Sequence, residues 1–238
     1  VEKLKKGSAG LMITALLHIQ GSWKSGIACN NYAPRGTTGY TGDDRVDDRI
    51  EAIREHIRSS YFAKGSHGLD HTERVARLCE LIGREEEADM RVLMPAALFH
   101  DVARSLEESQ GIDHAVEGAR LAEEYLASNG YDPALIPRIA HAIRAHRFQS
   151  GEEPATPEAR ILSDADKLDA MGAVGLARTF MHAGECNGEI GDAVGHIHEK
   201  LLRLRNLMYT GAASRIADKR HDLLVRFVKS LEDEMDAG

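Results

Sequence analysis

In the stretch AALFHDVARS, residues 96 to 105, an apolar run is interrupted by the adjacent pair His100 and Asp101. A buried charge is costly unless it is paired or bound to a metal. Other polar residues share apolar faces in the same way. His71 precedes Val75, Leu78 and Ile82 at helical spacing, and His146 continues the stripe of Ile136, Ile139 and Ile143. His114 is in line with Gly118, Leu121 and Tyr125. Asp166 and Asp169 share a face with Leu162, whereas Asp164 and His141 point elsewhere. One buried histidine is ordinarily a hydrogen-bonded core residue. Several on core faces each need a partner, and mixed imidazole and carboxylate donors suit manganese, iron, nickel or zinc.

The elements that must position these residues are helical. The chain has 238 residues, 42% of them hydrophobic, enough to build a real core. From residue 45 the apolar residues recur with a helical period, and no sustained period-2 strand appears. The spacing predicts an all-α domain over 45–238, preceded by a poorly ordered tail over 1–44 rich in Gly, Ser, Thr and Asn. A first helix carries Val46, Ile50, Ile53 and Ile57. The second, DHTERVARLCELIGREEE, takes Asp70 as N-cap with Glu73 completing a capping box. The third, MRVLMPAALFHDVAR, is apolar nearly all round and therefore central, with Pro95 marking a first turn or a kink. SLEESQGI reads as a loop, four helices follow, and two long amphipathic helices close the chain. Those last two form either a dimer face or the far wall of the core.

Composition removes several function classes. A net charge of −8 opposes a broad footprint on DNA or RNA, while leaving room for a small phosphorylated ligand. Cys29, Cys79 and Cys186 form no CxxC pair, which fits a reducing, cytoplasmic setting and opposes a zinc finger. The run LMITALLHIQ, residues 11 to 20, has about half the length a bilayer needs, so no membrane span is expected.

The order His71, then His100-Asp101, then Asp166 within SDADKLDA resembles the H…HD…D signature of the HD-domain metal-dependent phosphohydrolase superfamily. The likeness extends over roughly residues 45–238. DADKLDAMGAVGLARTF and EKLLRLRNLMYTGAASRIADKRH are similar to segments of small stand-alone HD proteins that include nucleotide pyrophosphohydrolases. The resemblance implies that His71, His100, Asp101 and Asp166 bind one divalent metal, manganese, iron, nickel or zinc. Binuclear members add two histidines, and His114 and His146 fall at the matching places, with Asp101 bridging. A metal with open positions acidifies bound water and polarises a phosphoryl oxygen. Arg104, one turn after His100, and Lys167, beside Asp166, are the cations expected to hold phosphates, although Lys167 reads equally as a solvated side chain. Asp169 reads as a carboxylate orienting a ligand histidine, or as a packing residue.

Departures from related patterns narrow the activity. HDVARS lacks the Glu-Asp pair of (p)ppGpp hydrolases, and RAHRFQSG lacks the HHE…GYP signature of cyclic-di-GMP phosphodiesterases. HD-type deoxynucleoside 5′-monophosphatases carry a Glu soon after HD, where this chain has Arg104. Glu107, Glu108 and Asp113 all remain open as proton donor. Pyrophosphate needs less protonation on leaving than an alkoxide, so the expected reaction is nucleoside triphosphate to monophosphate and pyrophosphate. Two alternatives stand beside it: a di-iron HD oxygenase, and a protein that binds metal or nucleotide without turnover.

Overall fold

A computed structural model describes residues 44–60, 68–147 and 152–237 of the chain. All but the last residue of the expected tail lies outside them. Every element among the described residues is helical: α1 (Asp44–Ser60), α2 (Leu69–Glu85), α3 (Met90–Phe99), α4 (Arg104–Gln110), α5 (His114–Ser128), α6 (Ile136–Ala145), α7 (Pro157–Asp169), α8 (Gly172–Glu185), α9 (Ile190–Glu199), a 3-10 helix (Leu201–Leu207) and α10 (Gly211–Asp236). Among these residues no helix is long and apolar enough to cross a membrane.

As its composition requires, α3 is central. Val92 through Phe99 are all buried, and the helix packs on α1, α2, α5, α6 and α7. Pro95 lies inside it and lacks the N–H that would bond the Arg91 carbonyl. The Tyr131 hydroxyl donates to that oxygen at 2.6 Å, so the proline leaves no unsatisfied group.

Four local expectations are corrected. Helix α2 begins after Gly68, not Asp70. Asp70 instead accepts from Arg74 Nη1 at 2.8 Å, and Glu73 pairs with Arg54 and Arg58 of α1, so a cross-helix tie replaces the capping box. Helix α3 stops at Phe99, and His100 to Ala103 form turns closed by Val102 N–H to Phe99 O (3.1 Å) and Arg104 N–H to Asp101 O (3.0 Å). The His-Asp pair therefore stands at a helix end, not within a helix. SLEESQ is the short helix α4, continuous with that turn, not a loop. The penultimate long helix breaks at Lys200 (φ −122°, ψ −60°) into α9 and the 3-10 segment, while α10 runs unbroken for 26 residues.

Elsewhere the ends are set as the residue types demand. Asp113 caps α5 by accepting from Ala115 N–H (2.8 Å) and Val116 N–H (3.2 Å), and Thr156 caps α7 with Pro157 following. Buried Asp164 accepts from the backbone N–H of Tyr209 and of Thr210, both at 2.9 Å, fastening the start of α10 to α7.

Gly118 lets α5 approach the end of α3. A Cβ there would lie 3.3 Å from Phe99 O and 3.5 Å from His100 O, both rigid backbone atoms. Gly118→Val should therefore destabilise the protein by about 1–3 kcal/mol through overpacking, and should lower metal affinity as well because it displaces His100. Chemical denaturation and metal titration of the variant measure both effects; an unchanged midpoint would contradict this contact.

Candidate metal centre

The site is assembled from five places in the chain. His71 comes from the first turn of α2, His100 and Asp101 from the end of α3, His114 from the first turn of α5, His146 from the end of α6, and Asp166 from α7. The four imidazoles are at most 3% exposed, and Asp101 is 4% exposed. Asp166 opens outward, with its side chain 34% exposed.

Each imidazole is held by its Nδ1. His71 Nδ1 faces Asp169 Oδ2 at 2.8 Å, His100 Nδ1 faces Ala97 O at 2.8 Å, and His114 Nδ1 faces Glu107 Oε2 at 2.7 Å. His146 Nδ1 faces Ile143 O. Carbonyls and carboxylates only accept, so each Nδ1 carries the hydrogen and donates. The Nε2 atoms then turn inward around Asp101. His71 Nε2 is 3.4 Å and His100 Nε2 3.8 Å from Asp101 Oδ2; His114 Nε2 is 3.3 Å and His146 Nε2 3.8 Å from Asp101 Oδ1. His71 Nε2 also lies 3.5 Å from Asp166 Oδ1 and 3.3 Å from His100 Nε2.

This donor set fits a metal. Two triads, His71–His100–Asp101 and Asp101–His114–His146, each bring their ligand atoms within 4.8 Å of one another. Two acceptor nitrogens at 3.3 Å repel unless a cation or proton stands between them. Burial keeps His100, His114 and His146 neutral, lowering their pKa and leaving their lone pairs available. His71 goes the other way. Burial would lower it, but hydrogen bonds with Asp101 and Asp169 and the charge of Asp166 push it up to about 9. The cluster demands positive charge, which a proton on His71 supplies when no metal does.

Asp169 is the anchor behind His71. It is 2% exposed and also accepts from Arg74 Nε at 2.7 Å and Arg178 Nη1 at 2.7 Å. Burial opposes its ionisation, but these donors hold it well below the usual carboxylate range. No sequence pattern marks Arg74 and Arg178; their positions on α2 and α8 only acquire meaning once both helices meet α7.

Arg104 and Lys167 are placed differently from each other. Arg104 stands at the rim with Nη1 3.2 Å from His114 Nε2 and 3.0 Å from Glu107 Oε2. Lys167 is 6% exposed and donates to Ser163 Oγ at 2.7 Å, with the Tyr209 ring 4.6 Å away. It touches the centre through Ser163, whose hydroxyl donates to the His146 carbonyl at 3.0 Å. Of the three open acids, Glu107 is the one that reaches an imidazole. Arg147 joins it at 2.8 Å, a contact that no helical period announces because it lies just beyond α6.

The HD domain pattern matches residues 68–171, the span that holds all six donors. YpgQ of Bacillus subtilis is 35% identical over 196 residues, which are 79% of this chain and 94% of that protein. The chain belongs to the HD-domain family. Within it, the chain is an HD-superfamily hydrolase of the YpgQ kind. The crystal structure of YpgQ in complex with ADP aligns at TM-score 0.66 and 30% identity, covering 78% of this chain and 97% of that one. An HD-superfamily hydrolase of Bacillus thuringiensis aligns at TM-score 0.61 and 25% identity, covering 82% and 98%. Ribonuclease Y of Desulforudis audaxviator is 34% identical over 117 residues, but these are 49% of this chain and 20% of that enzyme.

Two outcomes are expected. Asp169→Asn should weaken metal binding by about 10–100-fold, the usual effect of mutating the carboxylate partner of a ligand histidine, read by metal titration of the folded variant. Metal uptake should also be proton-linked. His71 must lose its proton to ligate, so affinity should rise with pH up to about 9 and level off above it. Protonated His71 correspondingly stabilises the metal-free protein at low pH, and this contribution is lost as pH rises through about 9. Calorimetry in buffers of different ionisation enthalpy counts the released proton.

Proposed function

We propose that this HD domain is a metal-dependent phosphohydrolase of nucleotides that cleaves a nucleoside triphosphate to monophosphate and pyrophosphate. The observation that carries the reading is the convergence of four Nε2 lone pairs on Asp101 beside an arginine at the rim. ADP in the crystal of the related YpgQ supports a nucleotide as the ligand class.

His71, His100, Asp101 and Asp166 would hold the metal, one ion of manganese, iron, nickel or zinc. Bound there, a divalent cation supplies Lewis acidity toward a phosphoryl oxygen and acidifies a water. The rest falls to the protein. Asp101 keeps Oδ1 turned to His114 and His146, whose neutral Nε2 atoms can take a proton from the attacking water. Arg104 neutralises the charge that grows on the phosphoryl oxygens. Glu107 is held below the usual carboxylate range: burial opposes ionisation, but His114, Arg104 and Arg147 outweigh it. It is therefore an anion that orients His114, not the proton donor, and pyrophosphate leaves without strong acid help. Lys167 acts through Ser163 on the His146 carbonyl.

The second triad favours one further reading, a binuclear centre in which His114 and His146 are ligands. Arg104 Nη1 lies against the His114 ring, 3.0 Å from Nδ1 and 3.2 Å from Nε2, so a second ion would have a guanidinium charge as its neighbour. One ion per chain is the expected stoichiometry. The partial likeness to ribonuclease Y does not extend the proposal to RNA, because a net charge of −8 opposes a long polyanion.

Metal content by elemental analysis, followed by a nucleotide panel with pyrophosphate detection, tests this. Asp101→Ala should lose metal and bring turnover below detection while keeping its helical circular dichroism. Retained activity would overturn the mechanism. Two irons with oxygen consumption would replace it with oxygenase chemistry, and tight nucleotide binding without product would leave a binding protein.

A further inference from the structure

Three donors from three segments meet on one carboxylate at the rim of the site. Arg147 Nη1 reaches Glu107 Oε1 at 2.8 Å; Arg104 Nη1 and His114 Nδ1 reach Oε2 at 3.0 and 2.7 Å. Asp113 Oδ2 lies 3.9 Å from Arg147 Nη1. The two guanidinium groups are partly open to solvent, at 23% and 34% exposure for Arg104 and Arg147.

Orienting His114 requires only Oε2. The guanidinium on Oε1 is surplus to that task, and it converts the group into a seat with donors on both oxygens of a planar anion. Two arginines around one two-oxygen edge is the geometry that recognises phosphate as well as carboxylate. The occupant also sits on the element best able to give way, because α4 is seven residues long and buries no residue.

We infer that Arg104 and Arg147 form the seat for a phosphate of the substrate, and that Glu107 fills this seat until the substrate takes over the two guanidinium groups and leaves Glu107 to His114 alone. The inference rests on the phosphohydrolase reading and assigns it a substrate class. An anion must outcompete a built-in carboxylate of one charge. A terminal phosphate of a nucleoside di- or triphosphate, or pyrophosphate, carries more than one charge and a third oxygen. An internal phosphodiester carries a single charge and is rejected. The same device separates nucleotides from nucleic-acid chains without any base contact. Arg147 thereby takes the phosphate-holding role that the sequence suggested for Lys167, whose ammonium is turned to Ser163.

The test uses Glu107→Gln and Arg147→Gln in the full chain. The glutamine at 107 keeps an oxygen to accept from His114 Nδ1–H but removes the competing charge. Inorganic pyrophosphate binding to the metal-free protein should tighten about tenfold in E107Q and weaken about tenfold in R147Q, since charge-pair changes at such sites alter affinity by at least this much. In the metal-loaded protein, KM for nucleoside triphosphate should move in the same directions, with kcat changing less. A dinucleoside monophosphate should not compete with pyrophosphate on the wild type. If E107Q lowers kcat at unchanged KM and pyrophosphate affinity, Glu107 only orients His114 and the inference fails. It fails equally if R147Q binds pyrophosphate as the wild type does, or if the phosphodiester competes. A wild type that turns over no nucleotide, yet shows the expected pyrophosphate pattern in both variants, would overturn the phosphohydrolase reading and retain the seat.

Discussion

Four imidazole lone pairs and a carboxylate directed at one another in a nearly water-free interior repel or go unsatisfied until a cation joins them. Much of the surrounding architecture answers to this constraint. Asp101 and His100 occupy a helix end, where the chain can turn two consecutive side chains into the same space. Helix α3 stops at Phe99 for that purpose. Each histidine is fixed from behind by an acceptor, two by carbonyls of their own helices and two by carboxylates from other helices. The carboxylates are fixed in turn, Asp169 by two arginines and Glu107 by two more. On the His71 side charge therefore alternates outward from the centre, from Asp101 to protonated His71 to Asp169 to its two arginines.

Packing protects this arrangement. The near absence of a side chain at Gly118 allows α5 to lie against the backbone of Phe99 and His100, bringing His114 opposite Asp101. Asp164 holds the segment leading into α10 against α7, so the long C-terminal helix braces the helix that carries Asp166. Tyr131 satisfies the carbonyl that Pro95 would have orphaned, and the central helix stays intact up to the point where the chemistry requires it to end. These contacts touch no ligand, yet they determine where the ligands stand.

The two sides of the site differ in character. On the His71 side the donors are buried, anchored by Asp169 and completed by a partly open Asp166, which suits a resident ion. On the His114 side the rim is lined by Arg104, Arg147 and Glu107, which suits a departing and arriving anion. Asp101 joins the two sides through its two oxygens. A fold of this family can host several chemistries, and the arginine–carboxylate cluster at the rim is the feature we infer to select among them.

The sequence by itself determined the class of the fold and most of the centre. Helical periodicity marked the buried faces, and all six donors stood out as polar residues on those faces or within an apolar run. Their order along the chain carried the family likeness. The sequence could not say where helices end, because ends are chosen by cross-helix partners: Glu73 is taken by Arg54 and Arg58, so α2 does not begin with a capping box. Nor could it choose among Glu107, Glu108 and Asp113, or see Arg74, Arg147 and Arg178. Such residues lie on polar faces where any charge is tolerated, so local pattern carries no information about their partners. Only the tertiary structure, by bringing α2, α4, α5, α7 and α8 to one centre, decided which of these charges are neighbours, and Coulomb interactions in a poorly solvated interior are set by neighbours and not by sequence distance.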